Sequence, residues 1–182
     1  MRRTYGESFA ILRERVEIVG EPRPIVERPP RHDDEDVGPS IVRAAIDDVA
    51  LDALTLSGLY VGRSELRNIS FRDTDLRLAT FNWSDLLDCD FTGADLSGAD
   101  LRACRFERCV FRSANLARTD VRGSTFELCT FEAASLDRAK LYRTPRLLGL
   151  LKRGRDQTNL PLSETQRRDV EWCADAPAPG GG

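Results

Sequence analysis

The sequence predicts an all-β solenoid, a chain coiled around its own apolar axis, and three observations carry this. An apolar residue recurs at every fifth position from Leu51 to Leu141, nineteen times without a gap, and every one is Leu, Phe or Val. Two positions before most of these teeth stands a small residue, as at Ser64, Ala79, Ser84, Cys89, Ala94, Ala99, Cys104, Cys109, Ala114, Ser124 and Cys129. Seven of the eight phenylalanines fall on the comb, so it is not a composition effect.

A period of five fits neither regular element. On an α-helix five residues advance about 500°, so the teeth would wander around the cylinder. In a flat strand successive teeth would alternate between faces. A chain that stays extended long enough for the small residue and the tooth to point the same way, and then bends, satisfies the pattern. Gly93, Gly98 and Gly123 read as residues of such bends.

Three segments flank or form this comb. Residues 1–45 are an N-terminal extension with an apolar stretch, Ser8 to Val19, and a charged Pro-rich linker, Glu21 to Pro39. Residues 46–141 contain no proline and form the repeat domain. Residues 142–175 hold a basic, leucine-containing piece, Thr144 to Arg155, and then Ser163-Glu164-Thr165-Gln166, whose capping-box spacing predicts a short helix running toward Ala174. The basic piece suits a solenoid cap or a partner surface. Residues 176–182 read as a disordered tail.

The comb resembles the pentapeptide-repeat family, whose pattern is A(D/N)LXX. Ala94-Asp95-Leu96-Ser97-Gly98, Ala99-Asp100-Leu101-Arg102-Ala103 and Ala114-Asn115-Leu116-Ala117-Arg118 match it letter for letter. The resemblance implies a right-handed quadrilateral β-helix with twenty residues per coil, hence just under five coils over residues 51–141. At that period the residues sort themselves by wall: Phe71, Phe91, Phe111 and Phe131 form one core ladder, and Leu56, Leu76, Leu96, Leu116 and Leu136 the next. Residues twenty apart should stack about 4.8 Å apart.

Chemistry-bearing constellations are few. The nearly balanced charge, 27 basic against 30 acidic residues, offers no global attraction to nucleic acid or anionic lipid, so neither direct nucleic-acid binding nor a membrane partner is expected. Five cysteines with no apolar leader point to reduced thiols and a cytoplasmic protein. Cys89, Cys104, Cys109 and Cys129 occupy the small inward position and read as packing, so no metal or other cofactor is assigned. A single histidine and the lack of a nucleophile–base pair or phosphate loop argue against an enzyme, so no catalytic residue is assigned. Asp75, Asp85, Asp90, Asp95, Asp100 and Asp120 precede teeth, where the repeat itself favours Asp or Asn.

The outward charge is uneven. Asp85, Asp88, Asp90, Asp95 and Asp100 form a belt with no basic residue between Arg77 and Arg102, and the following stretch is rich in arginine. This is either an axial dipole that orients a partner or a solubilising mixture. Leu78, Trp83 and Leu87 fall on outward positions beside Asp85 and Asp88 and make a candidate protein-binding patch, unless the N-terminal piece around Phe9, Ile11 and Leu12 folds back over them. The family resemblance implies a protein partner, with a type II topoisomerase as the named candidate and protection from a topoisomerase poison as the role; an interaction scaffold or immunity-type binder is the alternative, and a homodimer is left open. Duplex DNA as long as the rod, about 23 Å, carries about 13 charges. Residues 51–141 hold 14 acidic and 12 basic side chains, a net of −2, so the rod as a whole does not imitate a duplex.

Overall fold

The structure, a computed structural model, describes residues 3–16, 40–142 and 160–173. The Pro-rich linker, the basic piece from Thr144 to Arg155 and the tail from 176 lie outside the described residues.

Residues 40–142 wind as a parallel β-solenoid with four walls, and every pairing joins residues twenty apart. Wall one carries β1 (Ser40–Val42), β3 (Tyr60–Gly62) and β5 (Thr80–Asn82), and continues through bridges from Thr80 to Asp100, Asp120 and Lys140. Wall two is a five-stranded sheet of β2 (Ala45–Asp47), β4 (Glu65–Arg67), β6 (Asp85–Leu87), β7 (Arg105–Glu107) and β8 (Thr125–Glu127). Walls three and four are single-residue ladders, Ala50 to Ser70, Asp90, Val110 and Thr130, and Thr55 to Asp75, Asp95, Asn115 and Ser135.

The bend that the period of five requires is visible residue by residue. Every fifth residue from Arg43 to Arg138 has a φ between +50° and +76°, and sixteen of the twenty are not glycine. A left-handed L-residue costs about 1–2 kcal/mol, so the wall contacts must hold it there. They do so through the rungs: bend N–H groups such as those of Ala53 and Asp73 donate to the coil above, to Arg72 O at 2.8 Å and Thr92 O at 2.9 Å.

The interior is the comb. Phe71, Phe91, Phe111 and Phe131 stack with centroids 5.0, 5.0 and 5.1 Å apart, and Phe106 stacks on Phe126 at 4.8 Å. The two stacks meet edge to face, Phe106 against Phe111 at 5.6 Å and Phe126 against Phe131 at 5.4 Å. Burial of each ring contributes roughly 1.5–3 kcal/mol.

The small inward position does more than save space. At several corners the tooth's carbonyl receives a side-chain donor from the coil above, 23 residues on: Thr74 Oγ1 donates to Leu51 O at 2.6 Å, Ser64 Oγ to Ile41 O at 3.5 Å and Cys109 Sγ to Leu86 O at 3.3 Å. Cys89 and Cys104 make the equivalent bonds to Leu66 and Phe81. The cysteines therefore act as buried donors interchangeable with Ser and Thr, and burial pushes the Cys104 thiol up to about 12, far from reactivity.

Both ends are closed. The helix α1 (Tyr5–Arg15) begins at a capping box of Thr4 and Glu7 and buries Phe9 and Leu12 in the core. It is fastened by Thr55 N–H donating to Ser8 Oγ and Thr55 Oγ1 donating to Arg3 O, both at 2.8 Å, and by Arg15 on Ala50 O. The extension thus contributes a helix, and Ser40–Val42 already pairs in wall one, ahead of residue 46, because Ile41 and Ile46 continue the comb backwards.

At the far end α2 (Glu164–Asp169) starts at the Ser163–Gln166 capping box, and Gln166 Nε2 donates to Phe131 O at 2.8 Å and Ala134 O at 2.9 Å. The helix stops at Asp169 instead of running toward Ala174. There the chain turns extended, and β10 (Glu171–Cys173) adds a rung to β9 (Lys140–Tyr142), with Trp172 in register with Leu141.

Candidate protein-binding surface

Side chains at the bends point away from the core, and three large apolar residues of the described chain stand in water: Val42, Trp83 and Leu128, at 45%, 66% and 81% exposure. Trp83 occupies the corner between walls one and two with φ +54°. The fold-back of the N-terminal piece over Trp83 does not occur. Helix α1 is anchored on Ala50, Asp52 and Thr55, where it plugs the mouth of the tube, more than a turn of chain away.

The other apolar members of the patch sit differently. Leu78 is a bend residue on the next corner and half-buried, lying along Gly98 so closely that a Cβ there would meet Leu78 Cδ2 at 2.9 Å. Leu87 is half-buried on β6. Leu128 escaped the sequence reading, although it holds the same place in its repeat as Trp83, two residues after a tooth.

The acidic belt is distributed over the whole circumference. Asp85 lies on wall two, Asp88 on the corner after it, Asp90 on wall three, Asp95 on wall four and Asp100 on wall one. No flat partner can meet all five together. Most of them are also occupied within the fold: Asp90 and Asp95 accept from the N–H groups of Thr92 and Ser97, at 2.8 and 3.0 Å, and Asp100 holds Arg102 Nε at 2.8 Å and Nη2 at 2.6 Å.

Stacking also answers the axial dipole. Arg108 sits twenty residues beyond Asp88 and grips it with Nε and Nη2, at 2.7 and 2.8 Å, which holds the Asp88 carboxyl below its ordinary range. On wall two Arg67 reaches Glu65 and Asp47, and Arg105 reaches Glu107 and Glu127. Acid and base that looked segregated along the chain are adjacent across rungs, so the wall is a lattice of ion pairs.

Such a surface can bind; among the described residues no cluster of His, Cys, Asp and Glu has the arrangement of a metal site. No described helix is long and apolar enough to cross a membrane.

A four-walled parallel coil with a bend at every fifth residue and a register of twenty defines the class of the molecule, a repeat solenoid. The family model described as Pentapeptide repeats matches residues 56–93 and 89–127, in eight copies. No curated protein matches the chain.

Among solved structures it is similar to the pentapeptide repeat protein Rfr23 of the cyanobacterium Cyanothece 51142, at 16% identity over 53% of this chain and 83% of that one, TM-score 0.44. HetL of Nostoc, a pentapeptide repeat protein involved in heterocyst differentiation regulation, shares 19% identity over 55% of this chain and 54% of its own, TM-score 0.27. QnrB1, a plasmid-mediated fluoroquinolone resistance protein, shares 16% identity over 58% of each chain, TM-score 0.21.

Proposed function

We propose that this chain is a non-catalytic solenoid that works by binding a protein, with the Trp83 corner and wall two as its contact surface. The observation that carries this reading is the 66% exposure of Trp83 beside a rigid wall of paired charges. A large aromatic exposed on a corner between two paired walls suits an interface anchor. The pentapeptide-repeat resemblance supports a type II topoisomerase, DNA gyrase above all, as partner, and protection or self-resistance against a poison of that enzyme as role.

The experiment is gyrase supercoiling measured with and without a topoisomerase poison, as this protein is added. Restored supercoiling in the presence of the poison is expected, and an unchanged titration removes the topoisomerase assignment.

The second reading, a scaffold or immunity-type binder of an unrelated protein, is favoured by the near-neutral rod, which lacks the charge density of a duplex. It predicts that Trp83→Ala combined with Asp88→Ala abolishes capture of the partner while the circular dichroism of the coil is unchanged.

A further inference from the structure

Wall two is one arginine short. Every other acid on its described outward positions has a guanidinium in reach: Asp47 and Glu65 have Arg67, Glu107 has Arg105 and Arg108, and Glu127 has Arg105. Asp85 has none among the described residues. It is exposed, its ladder neighbours are Glu65 and Arg105, and Arg105 is turned toward Glu107 and Glu127.

The unanswered carboxylate stands two residues from Trp83, and the surroundings favour an incoming side chain. In the corner column beyond Trp83 come Ala103 and Gly123, so the next two rungs put no bulk over the indole. The corner therefore offers an aromatic surface and, two residues on, an exposed carboxylate with no cation paired to it.

We propose that Trp83 and Asp85 form a receptor for an arginine side chain of the protein partner, an inference that rests on the protein-binding reading above and names its chemistry. A guanidinium is planar, stacks on an indole and presents two parallel N–H groups to one carboxylate. A lysine ammonium is a point charge that cannot stack in this way. Among nearby cations, Arg102 is held by Asp100 and Arg105 by Glu107, so neither is paired with Asp85.

The test follows the two indole N–H signals by NMR while acetyl-Gly-Arg-Gly amide is added, with the citrulline peptide, of the same shape and without charge, as control. Trp83→Phe assigns the signals, and Trp172, whose Nε1 donates to Arg167 O at 3.2 Å, is the internal reference. The Trp83 signal should move saturably with the arginine peptide, about fivefold less with citrulline and about fivefold less in Asp85→Asn. The Asp85 side chain makes no bond in the described fold, so this variant leaves the wall intact. Equal movement with both peptides, an unaffected Asp85→Asn variant, or no movement at all overturns the inference. Poison protection that depends on Trp83 while the indole ignores arginine removes this inference alone, and an arginine response without any effect on supercoiling removes the topoisomerase reading alone.

Discussion

Phe91 and Phe111 lie face to face in the axis of the coil, centroids 5.0 Å apart and planes within 1° of parallel. Phe111 is fully buried and also meets Phe106, Phe126 and Phe131. A cavity here cannot collapse, because its lining is pinned by rungs on both sides. Phe111→Ala should cost about 3–5 kcal/mol in chemical denaturation, and a loss under about 1 kcal/mol would contradict the continuous aromatic column.

The thiol of Cys109 supplies a donor to Leu86 O. Removing it takes the second donor from a buried carbonyl that the ladder already serves, at a cost of about 0.5–1.5 kcal/mol. Cys109→Ser keeps the donor, as Ser64 and Thr74 do elsewhere on the comb. Thermal unfolding should rank Cys109→Ser above Cys109→Ala in stability, and the reverse order would show that volume alone matters there.

The Arg108 grip on Asp88 predicts acid sensitivity. Its hydrogen bond lowers the Asp88 carboxyl in the folded state. A depressed folded value means that the stabilisation is present above the unfolded carboxyl range and is lost as pH falls through the folded one. The melting-temperature gap between the parent and Asp88→Asn should therefore be widest near neutrality and close in strong acid. A gap that does not change with pH would assign the effect to shape instead of charge.

Leu128 carries the opposite expectation. It is 81% exposed and held at φ +56°, where a leucine is strained and a glycine is not. Leu128→Gly should leave stability unchanged or raise it by up to about 1 kcal/mol in denaturant titrations. A clear loss would mean that the side chain is needed in the fold.

The interior was legible because each inward residue is written many times over, so the stacking of Phe71, Phe91, Phe111 and Phe131 could be read from the period of twenty before any coordinates. The ends are written once. Ile41 and Ile46 continue the comb below Leu51, but two residues beside a charged linker carry little signal. The Thr4–Glu7 capping box was present in the letters and marks α1 plainly once the helix is seen.

The surface is not written in this repeated way. The belt from Asp85 to Asp100 looks continuous along the chain, yet a path that turns a corner every five residues sends those carboxylates to four directions. Only winding the chain reveals that Asp88 and Arg108 are neighbours, and that Asp85 is left without one.

A register of twenty with a corner every fifth residue also constrains how such a molecule can change in length. Loss or gain of one five-residue block keeps every tooth pointing inward, but it rotates everything downstream by a quarter turn and brings aromatic columns over aliphatic ones. Only whole circuits preserve the alignment, so length variants that keep the Trp83 corner in line with its wall should differ by multiples of four blocks.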